Sequence, residues 1–278
     1  MATIHPATEN LFKLADRKLL IRGRTSRSGR VVVSGAKNSA VAVLPACLLA
    51  EGVSVVQNVP DIADVAVQRQ ILESLGAEVT DGAEPGELRI AAGDIGTEVP
   101  YNLAKQLRGS VLLLGPLVAR KGRARVPLPG GCAIGSRPLD LHLKALRELG
   151  AEVEIEHGHI VARADRLVGT EVYLDFPSVG ATENLIMAAT AARGTTVVYN
   201  AAKEPEVVDL ANFLNAMGAR VVGAGTDTIK IEGGRELHPV EYTIIPDRIE
   251  AGTYLLMGLA GGGSVTVENV IPKHLEAL

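Results

Sequence analysis

The chain has 278 residues, with 28 Lys and Arg against 32 Asp and Glu, a formal net charge of −4. That balance excludes a general nucleic-acid binder, which needs a basic surface to meet phosphates, and 3% aromatic residues with no Trp leave little on which bases could stack. Apolar residues at 47% and charged residues at 22% describe a globular chain with a core of Val, Leu, Ile and Ala, long enough for one large or two small domains.

The opening MATIHPATENLFKLADRK has no apolar stretch behind a basic start, so no signal peptide is expected. Next comes VSGAKNSA, which reads as a strand-to-helix junction with Lys37 and Asn38 at the helix start. Backbone N–H groups there favour an anion and a lysine adds a point charge; a solvated lysine beside an ordinary capping asparagine is the plain alternative. The following helix, Ala40–Ala50, carries Cys47 on an apolar face. The charge-free run Asn38–Ala50 is too short to cross a bilayer, so no membrane span is expected.

From here the sequence repeats. AEGVSVVQN, ARGTTVVYN and GGGSVTVEN each set a Gly six residues before an Asn, at Gly52 and Asn58, Gly194 and Asn200, Gly263 and Asn269. The β-branched run between them predicts a strand, and an apolar helix precedes it, as in Asn184–Ala192. LESLGAEV, LRELGAEV and LNAMGARV each predict a helix, a glycine stop at Gly76, Gly150 or Gly218, and a strand. Asp61, Asp64, Glu206 and Asp209 fall near the starts of such helices, where acids complement the dipole. The second copy departs: Gly122 has no following Asn, and four extra residues separate it from Gly150. The extra length falls at PGGCAIGSRP, Pro129–Pro138, and extra loop length on a repeat scaffold points to function. At the junction matching Lys37 and Asn38 the second copy has Arg108 and the third has Thr182 and Glu183. His157 and His159 flank a glycine in an expected hairpin. The last segment, PKHLEAL, predicts a helix, and the glycine that should follow it is not reached, so a fragment of a longer protein is expected.

Cys132 sits in the glycine-rich insertion near Arg123, Arg125 and Arg137. Positive charge favours thiolate and makes such a thiol a usable acid or nucleophile; an inert small residue is the alternative. Lys37, Arg108 and Arg137 at comparable edges of successive copies suggest an anion pocket. Asp140, His142 and the Asp247–Arg248 pair say little individually. Two cysteines cannot make a disulfide framework, so a reducing cytoplasm is expected. With no CxxC, HExxH, Walker or GxGxxG pattern, neither a metal nor a cofactor is expected.

SGAKN (Ser34–Asn38), LRGSVLLLGPLVAR (Leu107–Arg120), PGGCAIGSRPLDLH (Pro129–His142), FPSVGATEN (Phe176–Asn184) and PDRIEAGT (Pro246–Thr253) occur in order. In these segments the sequence resembles the UDP-N-acetylglucosamine enolpyruvyl transferases. The resemblance implies an α/β fold, an inside-out α/β barrel of βαβαββ-type units in two similar domains. It implies a first domain over 35–245 and a second that takes 1–34 and starts again at 246–278. The implied reaction moves the enolpyruvyl group of phosphoenolpyruvate to the 3'-hydroxyl of UDP-N-acetylglucosamine, the first committed step of peptidoglycan synthesis, with no nucleic-acid or membrane partner. Cys132 is then the proton donor. Lys37, Asn38 and Arg137 would meet phosphoenolpyruvate; Arg108, Arg137, Pro138, Asp140, Leu141, Ser178, Val179 and Gly180 would meet the nucleotide sugar. Phe176 stands where some members have Lys. The family's catalytic base and further arginines lie in the second domain and have no counterpart in this sequence, so a non-catalytic nucleotide-sugar binding module, or a remnant without a stable fold, are the competing expectations. The shikimate-pathway relative lacks the cysteine loop and is disfavoured.

Overall fold

The computed structural model describes residues 28–130, 139–261 and 263–278. The chain begins with β1 (Ser28–Val32), α1 (Lys37–Ala46), β2 (Gly52–Gln57), α2 (Ala63–Ser74), β3 (Glu78–Asp81) and β4 (Leu88–Ala92). The second copy holds α3 (Tyr101–Ala104), a 3-10 helix Arg108–Leu113, α4 (Leu114–Lys121), β5 (Arg123–Pro127), α5 (Asp140–Glu148), β6 (Glu152–Glu156) and β7 (His159–Arg163). The third runs β8 (Glu171–Tyr173), α6 (Val179–Ala189), β9 (Thr195–Tyr199), α7 (Pro205–Ala216), β10 (Arg220–Val222) and β11 (Thr228–Glu232). β12 (Glu241–Thr243), α8 (Arg248–Gly261) and β13 (Ser264–Glu268) follow. PKHLEAL makes only a 3-10 turn, Pro272–Leu275, in place of the expected helix; that turn packs on α8.

The third copy is a complete βαβαββ unit. β8 and β9 are parallel across α6, and β10 and β11 form a hairpin antiparallel to β9, in the order β10-β11-β9-β8. The first sheet repeats this as β12-β2-β4-β3, and the second keeps β5-β7-β6 with a single parallel bridge from Glu98 to Arg125. In the first and third sheets buried residues alternate with more exposed ones, as in β2, β4 and β11. The helices lie inward: every residue of α1 from Ser39 to Ala46 and of α6 from Ala181 to Ala189 is buried. Sheets outside and helices inside give the inside-out α/β barrel. Leu44, Ile71, Leu72, Leu113, Leu114, Leu117 and Leu146 fill the centre, and Phe213 meets the Tyr242 ring edge-on at 5.3 Å.

The first strand of the first copy is supplied from far along the chain. β12, not β1, lies beside β2, and β1 lies beside β13. The chain crosses itself where this exchange is made: the Ala36 amide donates to the Ile245 carbonyl (2.8 Å) and the Asp247 amide to the Ser34 carbonyl (2.9 Å). A Cβ on Gly35 would run into the Asn58 carbonyl, so the crossing requires glycine there.

The repeated asparagines explain the registers. Asn58, Asn200 and Asn269 all hold a left-handed backbone, with φ of 58°, 57° and 57°, a region asparagine tolerates better than other L residues. Each side-chain amide donates to a carbonyl one residue past the parallel neighbour strand: Asn58 to Ile244 (2.9 Å), Asn200 to Leu174 (2.7 Å), Asn269 to Val33 (2.7 Å). One device therefore follows the strand and ties its partner. Removing it removes a part-buried hydrogen bond, about 1 kcal/mol, and a residue without asparagine's tolerance of the left-handed region adds about 1 kcal/mol of strain. Asn200→Ala is expected to lose about 2 kcal/mol in urea unfolding and Asn200→Gly roughly half of that; equal losses would show that the conformation contributes nothing.

Candidate functional site

Three helix starts carry the candidate residues. Arg108 opens the 3-10 helix, Asp140 and Leu141 open α5, and Ser178 caps α6 ahead of Val179 and Gly180. The 3-10 helix packs on α6 and on α1, and α5 packs on α6, so these starts are neighbours. Orphan N–H groups and the helix dipoles make such a place attractive to anions. The Ser178 hydroxyl accepts from the Ala181 amide at 3.4 Å, and the Ser178 carbonyl accepts from the Thr182 hydroxyl at 2.8 Å.

At the start of α1, Lys37 is half exposed and its ammonium lies 2.6 Å from the Asp64 carboxylate. Its own amide donates to Asp247 at 3.0 Å. Asn38 is exposed beside it. The position equivalent to Lys37 in α6 is taken by the Ser178–Val179 turn. Thr182 and Glu183, expected there, lie a turn further in and are buried. The Thr182 hydroxyl accepts from the Ala202 amide at 3.1 Å and braces the chain after β9.

The centre of the cluster is polar and buried. Asn184, fully buried, accepts from the Gly115 amide (2.8 Å) with its carbonyl oxygen and donates with its amino group to the Val111 carbonyl (2.9 Å) and to His142 Nδ1 (2.8 Å). Burial first, and the Arg108 charge second, push the His142 imidazole down from 6.5 to about 4, so the ring is neutral near pH 7. Taken singly, neither residue is informative in the sequence. The available signal was spacing: Leu139, His142, Leu143 and Leu146 form one helical stripe, with a polar side chain on its apolar face.

Among the described residues three acids are also buried: Glu183, Glu206 and Asp209. Glu206 pairs with Arg248 (3.2 Å). Asp209 accepts from the Tyr242 hydroxyl at 2.6 Å and is buried, so it is a core acid as well as a residue near a helix start. Burial holds the Asp209 carboxyl above the usual carboxylate range, against the lowering effect of its hydrogen bonds. One oxygen of Glu183 finds no hydrogen-bond partner among the described residues.

The thiol of Cys47 is buried and pushed up to about 12 by desolvation, which makes it inert, as its apolar helix face suggested. Cys132, Arg137 and Pro138 lie outside the described residues. Of the two arginines expected to flank Cys132 on the upstream side, Arg125 is engaged by Glu98 at 3.1 Å. Phe176 is two-thirds exposed, at 66%. A groove of about 680 Å³ between α2 and the β3–β4 turn, lined by Ile62, Val65, Arg69 and Glu87, shares no residue with the candidate set. Among the described residues no His, Cys, Asp or Glu cluster could hold a metal ion, and no helix is long and apolar enough to cross a membrane.

Glu183 sets a pH dependence. Burial, then the fields of Glu206 and Glu204, hold its carboxyl well above its ordinary 4.5. The native state therefore keeps a proton that the unfolded chain releases, and this group's contribution to stability falls as pH rises above 4.5. Glu183→Gln, which cannot ionise, is expected to melt higher than the parent at pH 8 by at least about 2 °C, with the advantage shrinking toward pH 5. An advantage that grows on acidification would mean that Glu183 is ionised in the fold.

A family model described as EPSP synthase (3-phosphoshikimate 1-carboxyvinyltransferase) matches residues 21–278. UDP-N-acetylglucosamine 1-carboxyvinyltransferase 2 of Carboxydothermus hydrogenoformans is 52% identical over 94% of this chain and 62% of its own length. UDP-N-acetylglucosamine 1-carboxyvinyltransferase 1 of Symbiobacterium thermophilum is 53% identical over 95% of this chain and 61% of its own. The chain thus spans about three-fifths of these curated relatives. Among solved structures, the enolpyruvyl transferase NikO from Streptomyces tendae aligns with a TM-score of 0.74 and 29% identity, over 84% of this chain and 56% of that one. EPSP synthase from Acinetobacter baumannii aligns at 0.70 and 22% identity, over 89% of this chain and 57% of that one, a likeness of fold.

Proposed function

The chain belongs to the EPSP synthase family of carboxyvinyltransferases, and from that premise we propose that it serves the transfer of the enolpyruvyl group of phosphoenolpyruvate to the 3'-hydroxyl of UDP-N-acetylglucosamine. The reading places it in the first committed step of peptidoglycan synthesis, in the cytoplasm where both substrates are soluble. The names of relatives about half identical over nearly the whole chain support it. The single structural observation that carries it is the meeting of Arg108, Asp140–Leu141 and Ser178–Gly180 at neighbouring helix starts.

The roles are those the resemblance implies, and the chemistry of the residues suits them. Both substrates are multiply anionic, so fixed cations and helix N-termini are suited to hold them. Lys37, Asn38 and Arg137 are assigned to phosphoenolpyruvate. Arg108, Arg137, Pro138, Asp140, Leu141, Ser178, Val179 and Gly180 are assigned to the nucleotide sugar. The Cys132 thiol gives a proton to the methylene carbon as the sugar oxygen bonds to the adjacent carbon. Loss of a proton and of inorganic phosphate then restores the double bond. The sugar hydroxyl proton leaves to a base that these residues do not supply. We assign residues 35–245 to the first domain and 1–34 with 246–278 to the second; the exchange of β1 and β12 supports boundaries at Ser34–Gly35 and Ile245–Pro246. Relatives named for turnover favour the enzyme over a passive nucleotide-sugar binder.

Calorimetry on the 278-residue chain tests the reading. UDP-N-acetylglucosamine is expected to bind, and Arg137→Ala to weaken binding about tenfold or more, the loss of a charge-assisted contact worth ~1.5–3 kcal/mol. A folded protein that takes up no UDP-N-acetylglucosamine at millimolar concentration would overturn it.

A further inference from the structure

We propose that His142 is a positioning residue for the nucleotide-sugar site, a neutral wedge held by Asn184 that fixes the Asp140–Leu141 turn against the Ser178–Gly180 turn beside Arg108. The inference rests on the site reading above and adds to it a residue that touches no substrate.

The sequence puts an imidazole on the apolar stripe of α5, where a leucine would bury more cheaply. The structure leaves it 6% exposed and gives it a partner in Asn184. The Asn184 carbonyl oxygen is committed to the Gly115 amide, so its amino group must face the Val111 carbonyl and His142. His142 Nδ1 is therefore an acceptor, and the ring proton sits on Nε2. That assignment fixes both the tautomer and the ring plane.

The opposite edge of the ring lies on the α6 start. A Cβ built on Gly180 would stand 3.0 Å from His142 Cε1 and 3.3 Å from Nε2, so backbone and ring are in contact and only glycine leaves the ring undisturbed. Arg108 is close enough for its charge to add to burial in keeping the ring neutral. His142 is also two residues beyond Asp140 on the same helix. Three segments assigned to one ligand thus converge on one ring, and ligand contacts lose strength when their supports shift by about 1 Å.

The test is calorimetry with UDP-N-acetylglucosamine on the 278-residue chain, at a temperature where every variant is folded by circular dichroism. His142→Phe keeps a planar ring, somewhat larger than imidazole, and removes the acceptor; it is expected to weaken binding at least tenfold. His142→Asn places an acceptor oxygen where Nδ1 stands and is expected to recover binding to within about threefold of the parent. Leu146→Ala, a core truncation on the same helix, lowers the melting temperature and is expected to leave affinity within threefold. If the Phe variant does not fold, His142→Gln, which reaches Nε2 but offers no acceptor at Nδ1, takes its place under the same criterion. Unchanged affinity in the variant lacking the acceptor, no recovery by Asn, or an equal loss in Leu146→Ala would each overturn the inference. A parent chain that binds nothing would instead sink the functional reading itself.

Discussion

One buried carboxamide sets the geometry on which the candidate site depends. Asn184 completes the hydrogen bonding of the 3-10 helix through Val111, of the α4 start through Gly115, and of α5 through His142. The first amides of a helix have no partner within it, and buried ones must find partners elsewhere. Asn184 supplies that partner from a neighbouring helix, and Gly115 lets it come close: a Cβ there would lie 2.9 Å from Asn184 Oδ1 and 2.7 Å from the Asn184 backbone oxygen. A leucine at 184 would fill the space but leave the Gly115 amide and His142 Nδ1 without this partner, each costing about 1–3 kcal/mol, while the Val111 carbonyl would keep the Leu114 amide. The arrangement of Arg108, Asp140 and Gly180 follows from that requirement.

Around this pin the copies are assembled by a repeated rule and one exchange. A left-handed asparagine follows each of β2, β9 and β13 and fastens the parallel neighbour. The neighbour comes from the same copy in the third sheet and from a distant segment in the first, through the crossing at Gly35 and Pro246. That crossing is held electrostatically as well as by backbone bonds. Asp247 receives the Lys37 amide, Glu250 receives the Ser34 amide, and Arg248 reaches the buried Glu206. Removing Arg248 would leave Glu206 buried without its cation, which costs more than the exposed pairs elsewhere contribute.

The parts of this fold that were legible in the sequence were local. Gly76, Gly150 and Gly218 read as helix stops and have φ of 95°, 93° and 105°; the Asn58, Asn200 and Asn269 repeat marked equivalent strand ends; Cys47 read as core. Partner choice was not legible in local pattern, because nothing within SGRVV of β1 or EYT of β12 says which lies beside β2; only the resemblance, which grouped 1–34 with 246–278, bore on it. Position within a helix was blurred by a turn, which put Thr182 and Glu183 at a junction held by Ser178 and Val179, and the sequence did not show that Tyr242 and the core enclose Asp209. His142 and Asn184 escaped notice because each makes sense only through the other, across two helices that sequence does not show to be in contact. The segments quoted for family resemblance did contain both residues.

The most direct measurement of the central constraint is native-state hydrogen exchange at the Gly115 amide in the parent chain and in Asn184→Ala. If Asn184 pins the α4 start, Gly115 exchanges in the parent only through large-scale opening and in the variant through a much cheaper local one, a rise of at least about a hundredfold, or ~2.7 kcal/mol in opening free energy. The Val198 and Ile229 amides of the outer sheet should keep protection close to the parent's. Unchanged protection at Gly115, or an equal loss at all three amides, would contradict the account.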